Sequence, residues 1–175
     1  MKDFNYHSAK DSKEASKLSS SSSAFLAGGM TTIPSMKLGL ASYKDVIDLK
    51  NIKKLSGIKV SGKTVTIGAT TKHAEVAASK DVMKAIPALA KLAGNIGDAQ
   101  VRNRGTIGGS ISNNDPSACY PSACMALNAV IHTNKRKIEA EKFFTGMFET
   151  ALKSGELVEA VEFEIPEKAD YQKHP

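Results

Sequence analysis

Apolar residues in this chain come in short runs broken by glycine, serine and asparagine, which predicts many brief elements rather than a few long ones. A short helix over residues 13–18 runs into five consecutive serines, read as a solvated loop. Phe25, Leu26 and Ala27 form a short buried strand that stops at Gly28-Gly29, and Ile33, Met36, Lys37 and Leu40 behind it carry a helical pattern. Val46-Ile47-Asp48-Leu49 is a second strand. Ile58 and Val60 alternate on one arm of a hairpin that turns at Ser61-Gly62, with Val65 and Ile67 on the other arm. Thr71 caps a helix running through His73, Val76 and Ala77. Pro87 opens another, with Leu89, Ala90 and Ala93 on one face, and Gly94 closes it.

Residues 120–128 are helical again. Residues 130–133 and 137–140 make a hairpin around Asn134-Lys135, residues 143–152 an amphipathic helix, and residues 157–165 a closing strand ended by Pro166. Residues 95–116 are poor in helix signals and rich in Gly, Asn, Asp and Thr, and loops of that length in compact domains are usually functional. The mixture predicts an α+β fold in two small lobes.

Composition narrows the function classes. About two fifths of the 175 residues are apolar, enough for a real core, and Trp is absent. The net charge of +6 comes mostly from scattered single lysines; the longest basic run is Lys135-Arg136-Lys137. Such scatter argues for a solvated surface over a nucleic-acid face. Met1-Lys2-Asp3-Phe4 has no apolar h-region behind it and no stretch is long enough to span a bilayer, so the expectation is a soluble, cytoplasmic protein. Cys119 and Cys124 lie five apart, neither a redox pair nor zinc spacing, and the four histidines are scattered, so no protein metal site is expected.

The chemistry concentrates in two glycine loops. AGGMT (Ala27, Gly28, Gly29, Met30, Thr31) follows a strand and precedes a helix; TIGGS (Thr106, Ile107, Gly108, Gly109, Ser110) sits in the long polar stretch. Glycines let backbone N–H groups approach an anion, and a helix N-terminus adds partial positive charge. Neither loop fits the Gly-x-Gly-x-x-Gly or the Gly-Lys-Thr/Ser signature, so dinucleotide-binding Rossmann and P-loop readings fail. Two such loops beside hydroxyls suggest a diphosphate held from both sides, with TIGGS the stronger of the pair.

The string IGDAQVRNRGTIGGSISNNDPSACYPSA (96–123) closely resembles the flavoprotein (medium) subunit of the molybdenum hydroxylases, which include aerobic carbon monoxide dehydrogenase and xanthine dehydrogenase. FLAGGMTTIPSMKLGLA (25–41) looks like the same family's first FAD loop. GATTKHAEV (68–76), FFTGMFETAL (143–152) and GELVEAVEFEIP (155–166) match its connecting elements, in order and over essentially the whole chain.

The resemblance implies the two-lobed α+β FAD-binding fold shared with vanillyl-alcohol oxidase, with residues 1–66 as the first lobe and 67–175 as the second. Ala27, Gly28, Gly29, Met30 and Thr31, flanked by Leu26 and Ile33, would cradle one side of the FAD diphosphate. Thr106, Ile107, Gly108, Gly109 and Ser110 would cradle the other, with Ile96 and Gly97 nearby. Leu157 or Val158 would lie near the isoalloxazine, and Lys173 would stabilise the reduced flavin by Coulomb attraction. The family's usual Asp is here Cys119, a poorer acceptor, with Asn114 or Asp115 as candidate replacements.

The implied role is an electron-transfer subunit with no catalytic acid–base set. It would pass electrons from iron–sulfur clusters in a small partner subunit, fed by a molybdopterin large subunit, to an external acceptor. Family members continue past the equivalent of Pro175, so a fragment lacking the C-terminal domain is expected. The alternatives are a flavin-poor interaction subunit or a stand-alone oxidase of the vanillyl-alcohol type. The substrate stays open, being chosen in another subunit.

Overall fold

Two sheets organise the chain in this computed structural model, which describes residues 1–173. The first third runs β1 (Asn5–Ser8), α1 (Ser12–Leu18), β2 (Ser23–Leu26), α2 (Thr32–Lys37) and β3 (Asp45–Asp48). These strands form a small parallel sheet in the order β1-β3-β2. Only the central β3 is buried, as its Val-Ile core suggests; β2, expected to be buried, is half-buried because it is an edge. β1 escapes the apolar pattern altogether. It is held by side chains instead: His7 Nε2 lies 2.7 Å from Asp45 Oδ1, and the Tyr6 hydroxyl donates to Asp48. Asp11 caps α1 by accepting from the Glu14 N–H at 2.8 Å. A small core of Ala9, Ala15, Ile47, Leu49, Ile52 and Leu55 lies under this sheet and includes Leu157 from far along the chain.

The remainder runs β4 (Ile58–Ser61), β5 (Thr64–Gly68), α3 (His73–Ala78), α4 (Lys80–Ala85), α5 (Pro87–Gly94), α6 (Ala99–Arg102), α7 (Ile107–Asn113) and α8 (Cys119–Ala126). It ends with β6 (Val130–Thr133), β7 (Lys137–Glu139), α9 (Ala140–Phe143), β8 (Phe144–Gly146), β9 (Glu149–Thr150) and β10 (Val158–Glu164). The five-stranded antiparallel sheet has the order β4-β5-β10-β6-β7. Its register sets one apolar row across every strand: Ile58, Ile67, Val161, Ile131 and Ile138. Val60, Val65 and Phe163 form a second. Side chains of this size contribute roughly 1.5–3 kcal/mol each when fully buried. The row makes a one-residue slip of any strand costly.

Three expectations need correction. Residues 95–116 are not one loop but contain α6 and α7, capped by Asp98 (accepting from Val101 N–H, 2.8 Å) and Thr106 (accepting from Gly109 N–H, 3.2 Å). Glycine's low helix propensity masked the α7 cap, and α6, four residues long, is too short to show a helical period. The helix over 143–152 does not form: the chain leaves α9 and turns through the β8–β9 hairpin, with Phe148 left-handed at φ 57°. Thr71 is not a helix cap; its hydroxyl is tied to Gly57 N–H and C=O, and Glu75 satisfies the Lys72 N–H at the start of α3. Among the described residues no helix is long and apolar enough to cross a membrane.

Candidate functional site

The first glycine loop leaves β2 where the Leu26 carbonyl accepts from the Leu49 N–H at 2.9 Å. Gly29 then takes φ +74°, a conformation glycine tolerates without strain. Among the described residues the five consecutive N–H groups of Gly28, Gly29, Met30, Thr31 and Thr32 donate to no acceptor within the chain. Five free donors in a row, at the end of a strand and the start of α2, are a backbone arrangement suited to an anion.

The second loop is built differently. Four of its five backbone donors are spent: Ile107 N–H on Thr71 C=O (3.2 Å), Gly108 N–H on Ala69 C=O (2.9 Å), Gly109 N–H on Thr106 Oγ1 (3.2 Å) and Ser110 N–H on Thr106 C=O (3.0 Å). Gly108 and Gly105, the residue just before the loop, serve close packing. A Cβ on Gly108 would fall 2.5 Å from the Ala69 Cβ, and one on Gly105 would fall 2.6 Å from His73 Nε2. A Cβ on Gly109 would approach only the Thr106 hydroxyl, at 3.0 Å. The second loop therefore offers shape and the Ser110 hydroxyl rather than a row of amides. AGGMT, the weaker loop by sequence, is the better anion cradle.

The two loops touch. A Cβ on Gly28 would sit 2.1 Å from the Arg104 carbonyl oxygen, so only glycine lets the strands of this seam meet. A cleft opens on either side of it. The first, about 400 Å³, is lined by Ala27, Gly28, Gly29, Met30 and Thr31 from the first loop and Thr106, Gly108, Gly109 and Ser110 from the second. Asp115, Leu157 and Val158 complete the expected set there, joined by Tyr43, His73, Val101 and Glu156, which sequence reasoning did not single out. The second cleft, about 500 Å³, takes in Leu26 and Ile33 with Asp48, Lys50, Lys72 and Arg104, and shares Ala27, Gly28, Thr70 and Thr106 with the first.

Other expected residues lie elsewhere. Ile107 is buried in the large core and Ile96 packs against it. Gly97, at φ +49°, has its carbonyl held by Arg102 at 2.8 Å. Asn114 is buried with its amide spent on the Gly146 and Glu149 carbonyls, both at 2.8 Å. Cys119 accepts from the Tyr171 hydroxyl at 3.0 Å and lines neither cleft, and Lys173 is exposed outside both.

Two titratable groups in the first cleft are strongly perturbed. Burial pulls the His73 imidazole down to about 4, so it is neutral at physiological pH. Burial would raise the Glu156 carboxyl, but hydrogen bonds from Arg136, Thr133 and the Lys153 N–H outweigh it and hold it at about 2. Glu156 thereby ties the loop before Leu157 and Val158 to the β6–β7 turn.

Residues 2–168 match the family described as the FAD binding domain in molybdopterin dehydrogenase. The chain belongs to this family. Among curated relatives, the medium chain of carbon monoxide dehydrogenase from Hydrogenophaga pseudoflava is 38% identical over 170 residues, covering 93% of this chain and 58% of its own length. The medium chain of glyceraldehyde dehydrogenase from Sulfolobus acidocaldarius is 36% identical over 169 residues, covering 93% and 60%. A solved structure of the Hydrogenophaga pseudoflava carbon monoxide dehydrogenase superposes with a TM-score of 0.91 at 36% identity, covering 94% of this chain and 60% of that one. Quinoline 2-oxidoreductase from Pseudomonas putida 86 also gives 0.91, at 28% identity. The fold is that of this FAD-binding family, and the chain spans about 60% of the length of the relatives it matches. FAD, the family's cofactor, fits the residues present: Gly28 to Thr32, with their five free amides, line the same cleft as Gly108, Gly109 and Ser110 of the second loop.

Proposed function

We propose that this chain is the FAD-binding part of an electron-transfer subunit in a molybdenum hydroxylase, with an iron–sulfur small subunit and a molybdopterin large subunit as partners. The observation that carries this reading is the run of free donors from Gly28 to Thr32, set against Gly109 and Ser110 at a seam joining two clefts. A dinucleotide has that layout: a diphosphate at the seam and one half of the molecule in each cleft. In this reading Ala27, Gly28, Gly29, Met30 and Thr31 bind the diphosphate by backbone contacts, and Thr106, Gly108, Gly109 and Ser110 shape the opposite wall. Leu26, Ile33, Asp115, Leu157 and Val158 contact the remainder. When bound, FAD supplies the electron-carrying chemistry; the protein binds and orients it and needs no acid–base residue of its own.

Of the two proposed lobes, 1–66 and 67–175, we draw the boundary instead before the β4–β5 hairpin, a reading supported by the pairing of β5 with β10 in the larger sheet. The test is a titration of the purified chain with FAD, followed by quenching of flavin fluorescence and by visible absorbance. Saturable binding, competed by ADP, is expected. A chain that stays colourless and leaves flavin fluorescence unchanged would overturn the reading.

A further inference from the structure

Among the described residues the walls of the first cleft contain no lysine or arginine, yet the ligand proposed for the seam carries a doubly anionic diphosphate. Neutral amides bind such a group by hydrogen bonds, but its partial removal from water leaves a charge that calls for a counter-cation. The cations stand on the other side of the seam, where Lys50, Lys72 and Arg104 line the second cleft. Lys50 is already committed, lying 3.1 Å from Asp48 and 3.2 Å from the Tyr6 hydroxyl. Among the described residues Lys72 and Arg104 have no ion-pair partner.

Two carboxylates share that cleft. Asp48 accepts from Tyr6 and the Lys50 N–H, and Glu75 accepts from the Lys72 backbone N–H at 3.0 Å. Both free cations also belong to residues that build the seam: Arg104 supplies the carbonyl against Gly28, and Lys72 is bridged to Thr106. With Lys50, Lys72 and Arg104 set against Asp48 and Glu75, the second cleft keeps a net positive charge that attracts an anion.

We propose that Lys72 and Arg104 are the charge-neutralising binding residues for the diphosphate, acting from the second cleft while the Gly28–Thr32 amides hold it from the first. The inference rests on the FAD reading above. It is tested by titrating the full chain and the variants Lys72→Gln, Arg104→Gln and Arg104→Lys with FAD and with riboflavin, which lacks the phosphates. Each titration is run at low and moderate NaCl. Each glutamine variant weakens FAD about tenfold, leaves riboflavin unchanged and flattens the salt dependence of FAD affinity; Arg104→Lys retains most of the affinity. Glutamine variants that bind FAD within about twofold of the parent chain with the same salt dependence, or that lose riboflavin equally, overturn this inference alone. A parent chain that binds no FAD overturns the FAD reading and this inference with it.

Discussion

Replacing Glu156 with glutamine removes the buried, negative member of an ion pair beside the cleft, and the cost can be worked from the structure. Its side chain is fully shielded, whereas the Arg136 side chain is 41% exposed. The carboxylate accepts from Thr133 Oγ1 at 2.7 Å, Arg136 Nε at 2.9 Å and the Lys153 N–H at 3.0 Å. Holding the carboxyl at about 2 against a usual 4.5 corresponds to ~3 kcal/mol. Water and salt around the half-exposed guanidinium bring the expected loss for Glu156→Gln to ~2–3 kcal/mol at neutral pH. A carboxyl depressed in the folded state contributes stability that is complete above 4.5 and disappears as pH falls toward 2. Urea denaturation across that window should therefore show the parent chain losing stability on acidification, with the variant lacking this component. A variant within ~0.5 kcal/mol of the parent at pH 7, or one with an identical acid profile, refutes the reasoning.

His73 acts in a different window. Burial keeps its imidazole neutral in the folded chain down to about 4, whereas the unfolded chain takes up a proton near 6.5. Stability should fall as pH drops from 6.5 to 4, and His73→Phe should flatten that part of the profile in the same urea titrations. Asn114→Ala forfeits two hydrogen bonds to the β8–β9 hairpin and places alanine at φ 45°. Its expected cost is ~2 kcal/mol, with faster hydrogen exchange at the Phe148 amide, which donates to the Asn114 carbonyl at 3.0 Å.

Most strands were legible because a half-buried sheet demands alternation: Ile58, Val60, Val65 and Ile67 display it, and their register carries it across the sheet. β1 was not, since Asn5, Tyr6, His7 and Ser8 are held by pairing with β3 and by polar side chains that no local pattern announces. The hairpin at 144–150 was hidden for a similar reason: Asn114, some thirty positions earlier, fixes its turn.

At the site, the loops were visible as glycine strings, but their division of labour was not. What each glycine is there for depends on the fold around it: Gly29 holds a left-handed turn at φ +74° against the Ile33 side chain, Gly108 admits Ala69 and Gly28 admits the Arg104 carbonyl. Lys72 and Arg104 looked like ordinary scattered charges until the fold set both around one cleft. Cys119 stood out in the sequence as a neighbour of the loop, yet it turns to Tyr171 instead.

The most direct test of the anion cradle is a backbone NMR titration of the ¹⁵N-labelled chain with ADP and with FAD. The account predicts that the amides of Gly28, Gly29, Met30, Thr31 and Thr32 shift together and become protected from exchange. Those of Ile107 and Gly108, already bonded to Thr71 and Ala69, should gain little protection. Binding that perturbs the second loop while leaving those five amides unchanged would contradict it.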